Sequence, residues 1–198
     1  MQHDNVDLAA LIGSRICHDL ISPIGAIDNG LELLTMSGIA ESPELGLIGE
    51  SVGSASARIR FFRIAFGSAG DQLVGQAEIT SILRDLYQSS RLDLVWLPEE
   101  PQPRAAVRLA LLGILCLETA MPYGGRAEVS ENNGAWQLLG TADKLNVIPE
   151  LWEHLSQGGS DSQLQPAQVQ FALLPVHARD VGRDVQTQAN STKVTINF

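Results

Sequence analysis

Cysteine is scarce: two residues in a chain of 198. Cys17 and Cys116 cannot build a disulfide framework or a thiolate metal cluster. Both sit in apolar helical runs, which marks them as reduced core residues. Basic residues are also few, with 13 Lys and Arg against 23 Asp and Glu and a formal charge of −10. Acidity of this size offers nothing to offset phosphate repulsion and argues against a nucleic-acid partner. Long apolar runs are missing. The nearest to membrane-spanning length, 105–117, is too short and is broken by Arg108. No basic, apolar, small-residue leader opens the chain. A membrane partner is therefore not expected, and the expected location is the cytoplasm. His3, His18, His154 and His177 are scattered without ligand spacing, so neither a metal site nor a cofactor is expected. There is no internal repeat.

What is present is a chain 44% hydrophobic, enough for one or two small packed domains. Residues 6–36 read as one long helix. At about 100° per residue, Val6, Ala9, Ile12, Ile16, Leu20, Ile24, Ile27, Leu31 and Leu34 share one face, a core-facing stripe. Pro23 interrupts it, but the stripe resumes in phase, so a kink is expected rather than a stop. Gly38 is the expected terminator. Ser42 then caps a second helix with Pro43 at its first position. Leu45, Ile48, Val52, Ala55, Ile59, Phe62 and Phe66 follow at alternating spacings of three and four. The two helices form an antiparallel hairpin. Alone it has too little core, and the apolar spacing on both arms points to two copies pairing as a four-helix bundle, a homodimer.

Gly67 to Gly75 reads as a linker. The expected domains are thus 1–68, an all-helical dimerisation hairpin, and 75–198, a small α/β sandwich with helices on one sheet face. In the second, helices are expected at 77–89, 104–120, 148–156 and 167–181. Strands are expected at 92–96, 126–130, 135–140 and 194–198. PEEPQP, 98–103, reads as a turn, Asn132-Asn133-Gly134 as a hairpin turn, and 157–166 as a loop.

The stretch SRICHDLISPIGAIDNG, 14–29, carries the chemistry. His18 lies opposite the centre of the apolar stripe, so it faces outward. Ser14 and Ser22 are its neighbours four residues away on either side, and Gly25 is two turns on. Small side chains thus leave room for a large partner to approach the ring. An exposed helical histidine can be inert. It has no second ligand for a metal and no elbow, triad order or oxyanion glycine for hydrolysis. The remaining chemistry is nucleophilic phosphoryl transfer by the imidazole, with Asp19 polarising one ring nitrogen so that the other attacks.

His-Asp-Leu-Ile-Ser-Pro, 18–23, resembles the phosphoacceptor box of sensor histidine kinases, which has the form His, Glu or Asp, Leu, two variable residues, then Pro. The longer stretch SRICHDLISPIGAIDNGLELL, 14–34, is similar to alphaproteobacterial histidine phosphotransferases of the ChpT type, and the likeness spans almost the whole chain. The resemblance implies a dimeric kinase-like fold whose α/β domain is a degenerate histidine kinase ATPase domain. It also implies a relay from the receiver domain of a hybrid histidine kinase to response regulators. The segment matching the kinase asparagine box, RLALLGILCLETAMPYGG at 108–125, contains no asparagine, and Glu118 is its single acidic residue. No Asp-x-Gly-x-Gly run occurs, and Gly158-Gly159-Ser160-Asp161 is a poor substitute for a glycine box. The helix around Gln170–His177 resembles the one behind the second kinase glycine box but lacks its opening glycines. Without ATP, the phosphoryl group must come from another protein, and the receiver would supply magnesium.

The expected active residues are His18 and Asp19. The expected receiver-docking face is Leu11, Ser14, Arg15, Ser22, Gly25 and Asn29. Arg15 would balance phosphoryl charge or simply be solvated. Arg58, Arg60 and Arg63 on the second helix have the same two readings: an acidic-patch contact or a solvated face. The alternative function is a non-catalytic degenerate kinase that binds or inhibits receivers or kinases. An active kinase with unusual boxes ranks below both.

Overall fold

The computed structural model describes residues 2–37, 42–68, 70–157 and 164–198, with side chains from residue 9 onward. Gly38, Gly158–Asp161 and the Val6 side chain lie outside the described residues, as does most of the 157–166 loop. The chain divides into two units, Met1–Ser68 with Ser81–Gln88, and Ala69–Thr80 with Ser89–Phe198.

The first unit is built on α1 (Gln2–Met36) and α2 (Pro43–Ala65). α1 begins four residues earlier than the apolar stripe alone indicates, and it continues through Pro23. α2 starts where its cap chemistry places it. Ser42 has extended φ and ψ, and its hydroxyl accepts a hydrogen bond from the Leu45 N–H at 3.2 Å. Pro43 at the first position has no N–H to leave unpaired.

The hairpin closes on a different seam from the expected one. On α1, Ala10 and Cys17 are buried, and Gly13 lies so close to α2 that an added Cβ would sit 3.3 Å from the Phe66 carbonyl oxygen. The stripe expected to face the core remains open: Ile12, Ile16, Leu20, Ile27 and Leu34 are 39–54% exposed. Among the described side chains of that stripe, only Ile24 and Leu31 are half-buried. α1 therefore has two apolar seams, and one hairpin can fill only one of them.

On α2, Val52 and Ile59 are buried as the spacing predicts, but Ile48 is exposed. The opposite face of its last turns is buried too, at Ala57, Phe61, Ile64 and Ala65. The second half of α3 (Gln76–Tyr87) belongs to this unit, with Ile82 and Leu83 buried. Arg60 on α2 donates from Nη2 to Asp85 on α3 at 2.6 Å. Of the two readings of Arg60, the structure favours neither: it is tied inward by an ion pair.

The second unit is an α/β sandwich. Strands β2 (Leu92–Trp96), β4 (Gly125–Asn132), β5 (Ala135–Thr141), β6 (Gln186–Ala189) and β7 (Lys193–Asn197) form a sheet in the order β2-β4-β5-β7-β6. β2 and β4 are parallel and the other pairs are antiparallel. β4 and β5 join through Asn133 and Gly134 with φ of 50° and 86°, the two positive values that a tight hairpin turn requires. Gln102–Pro103, expected within a turn, is a short strand (β3). It pairs with β1 (Leu73–Val74) in the expected linker, because two residues on each side suffice for a ladder without any side-chain pattern.

Helices α4 (Arg104–Ala120), α5 (Pro149–Gln157) and α6 (Val169–Asp180), the last entered by a 3-10 turn at Pro166–Gln168, belong to this unit. Ala127, Val129, Leu138, Val194 and Ile196 alternate inward from the sheet and are fully buried with Leu109, Leu112, Ile114 and Leu117 of α4. α4 lies directly on the sheet: a Cβ on Gly113 would come within 2.6 Å of Leu138 Cδ2. Arg108, the charge inside the apolar run, is buried but held, its Nη1 donating to His177 Nδ1 at 3.0 Å.

Candidate functional site

α1 presents His18 to solvent from the middle of a 35-residue helix. Its side chain is 84% exposed. The helical backbone has already fixed the Cα–Cβ direction, so only two side-chain torsions remain to be set. Asp19 sets them: its Oδ1 lies 3.2 Å from His18 Nδ1. The other oxygen, Oδ2, accepts from Arg15 Nε at 2.8 Å. The hydrogen bond from His18 and then that from Arg15 hold the Asp19 carboxyl below the usual carboxylate range. An ionised carboxylate can only accept, so the proton of the neutral imidazole resides on Nδ1. The lone pair is then on Nε2, the nitrogen that Asp19 does not touch.

The remaining expected residues fall into two groups. Leu11, Arg15, Ser22 and Asn29 are exposed on the His18 side of α1, and Gly25 is half-buried with nothing within 4 Å of where a Cβ would be. Ser14 differs. Its hydroxyl accepts from the Ser68 N–H at 3.3 Å and faces Gly67, so it ties the base of the hairpin as well as leaving space beside the ring. Sequence reading passed over Ile21, three residues beyond His18 and 38% exposed. Its signal was available in the same helical wheel, as an apolar residue off the stripe.

Cys17, beside His18 in sequence, points the other way. Burial raises its thiol pKa, partly countered by the Arg63 charge, so it is a poor thiolate. His154 and His177 are both buried in the second unit. The segment matching the kinase asparagine box is α4, whose described side chains are buried along most of its length. Glu118 is exposed on it. Among the described residues no three His, Cys, Asp or Glu side chains cluster to hold a metal ion, and no helix is long and apolar enough to cross a membrane.

A helical hairpin with an acid-oriented, solvent-facing histidine, followed by an α/β sandwich, is the arrangement expected of a histidine phosphotransfer protein of two-component signalling. Comparison with known proteins agrees. Residues 76–193 match the family model for the histidine phosphotransferase C-terminal domain. The chain is 31% identical over 199 residues to Protein phosphotransferase ChpT of Brucella abortus (strain 2308), an alignment covering 97% of this chain and 95% of that protein. It also superposes on a solved bacterial phosphotransferase with a TM-score of 0.68 and 29% identity, covering 96% and 95% of the two chains. The chain belongs to the ChpT-type histidine phosphotransferase family, and its activity is protein histidine phosphotransfer in a phosphorelay.

Proposed function

We propose that His18 is the phosphoacceptor, and that it takes a phosphoryl group from the aspartate of a hybrid kinase receiver domain and passes it to the aspartate of a response regulator. The observation that carries this is the His18–Asp19 geometry: an exposed imidazole whose Nδ1–H is engaged and whose Nε2 is left to attack. In the forward step an N–P bond forms at Nε2 and the P–O bond to the receiver aspartate breaks. The imidazole, now cationic, keeps its proton on Nδ1, hydrogen-bonded to the ionised Asp19 carboxylate. The reverse step on a second receiver restores the neutral ring. Magnesium and the cation that stabilise the moving phosphoryl group come from the receiver, which leaves this chain one nucleophile, one orienting acid and a docking face.

Leu11, Ser14, Arg15, Ser22, Gly25 and Asn29 form that docking face, with Ile21 at its margin. The open seam of Ile12, Ile16, Leu20, Ile27 and Leu34 is the homodimer interface, which closes two hairpins into a four-helix bundle. Residues 1–68 are the dimerisation and phosphotransfer domain and 75–198 the kinase-like domain.

Mixing the chain with a phosphorylated receiver domain tests the proposal. Label should move to the chain, H18N should abolish it, and D19A should slow transfer far more than it weakens receiver binding. Labelling of H18N at the parental level would remove His18 from the mechanism. Receiver binding without any transfer would make the protein a binding module instead.

A further inference from the structure

We infer that Arg15 is a positioning residue for phosphoryl transfer: by occupying one oxygen of Asp19 it aims the other at His18 Nδ1. This rests on the reading of His18 as phosphoacceptor and adds a third member to the site.

Neighbouring residues on a helix point about 100° apart, so His18 and Asp19 do not meet by default. The Asp19 side chain is half exposed, and water competes for both of its oxygens. What turns the carboxylate is Arg15, one helical turn back, whose Nε binds Oδ2 at 2.8 Å while Oδ1 is left 3.2 Å from the ring. The pair is not explained as helix support. A base four residues before an acid is the weaker order for that purpose, and neither residue lies near a helix end. The guanidinium commits one of its five N–H donors, Nε–H, to the Asp19 carboxylate. After the hydrogen bond from His18, that from Arg15 does most to keep Asp19 ionised, which agrees with a role exerted through the carboxylate.

The chemistry follows from the tautomer. Attack on a phosphoaspartate needs the lone pair on the outer nitrogen, Nε2, and therefore the proton on Nδ1. When the N–P bond forms and the P–O bond breaks, positive charge appears on the ring, and the ionised Asp19 is already aligned to it. Loosening Arg15 lets Asp19 swing to solvent and lets the proton distribute between the two nitrogens.

The test uses the full chain and a phosphorylated receiver domain, with R15Q, D19N, the double variant and H18N. R15Q should lower the maximal transfer rate, measured at saturating receiver, about two- to fivefold, the scale of an exposed ion pair, beyond any change in half-saturation that its place on the docking face brings. The double variant should be no slower than D19N, because Arg15 acts through Asp19. Nitrogen NMR of the unphosphorylated chain should show His18 mainly as the Nδ1–H form and R15Q shifted toward Nε2–H. Additive losses in the double variant, a changed half-saturation at unchanged rate, or parental ring-nitrogen shifts in R15Q would each overturn the inference. Those results with H18N inactive would leave the phosphoacceptor reading standing, whereas labelled H18N would remove both.

Discussion

Ile16 offers the sharpest test of how the hairpin completes itself. It is 54% exposed at the centre of the open seam of α1. Burying a whole isoleucine side chain is worth about 2.6 kcal/mol, so covering the open half is worth about 1.4 kcal/mol. The proposed two-fold dimer would use the same patch twice, so Ile16→Ala should remove at most about 2.8 kcal/mol from it. That should raise the dimer dissociation constant by up to about a hundredfold. Ile16→Asp goes further, since it sets a carboxylate on each protomer into an apolar seam without a partner. Leu11 is the control. It is 59% exposed, as apolar as Ile16, and sits on the His18 side of the same helix. Sedimentation equilibrium across a dilution series reads the result. The parent and Leu11→Ala should share one dimer dissociation constant, with Ile16→Ala shifted and Ile16→Asp monomeric. Receiver binding should show the converse, weakened by Leu11→Ala. A parent that is monomeric throughout, or an Ile16→Asp variant that dimerises like the parent, would refute the assignment of the seam.

Two further outcomes concern stability. Burial alone would raise the Asp85 carboxyl, but hydrogen bonds from Arg60 and Arg84 and their charges outweigh it and hold it low. A carboxyl depressed in the fold contributes stability above its unfolded pKa of about 3.9 and loses it as pH falls through the folded value. Asp85→Asn should therefore cost about 1 kcal/mol in urea unfolding at neutral pH, and the gap from the parent should close below pH ~3.9. A gap that persists at low pH would mean the carboxylate charge is not what matters. Gly113→Val must push Leu138 aside in a filled core, and thermal unfolding should show a loss of about 1–3 kcal/mol. An unchanged melting temperature would show slack between α4 and β5.

Much of the fold is readable where local chemistry and tertiary packing agree. α4 begins at Arg104, just after Pro103, and runs to Ala120 as its apolar run indicates. The β4–β5 hairpin turns at its Asn-Gly pair. β6 is not readable. Gln186–Ala189 has no apolar alternation because it is an exposed edge strand, and its conformation comes from pairing with β7. The second buried face of α2 was missed because a heptad pattern registers one seam, whereas the end of α2 is apolar on both sides. At the site, the outward direction of His18 follows from the helical wheel alone. The reach of Asp19 does not, since adjacent residues diverge and the contact depends on Arg15. Ser14 shows the same limit: its hydroxyl partner, the Ser68 N–H, lies 54 positions along the chain.

Pro23 gives α1 a mechanical property. A proline has no N–H to offer the carbonyl four residues back, and here that carbonyl belongs to Asp19. Along a rod otherwise stiffened by a continuous ladder of backbone bonds, compliance is therefore concentrated at the turn bearing His18 and Asp19. A load applied by a visiting partner strains that turn before it disturbs the packed seams. In the proposed relay, that local compliance would let His18 tilt to meet differently shaped receivers while the scaffold beneath it stays in register.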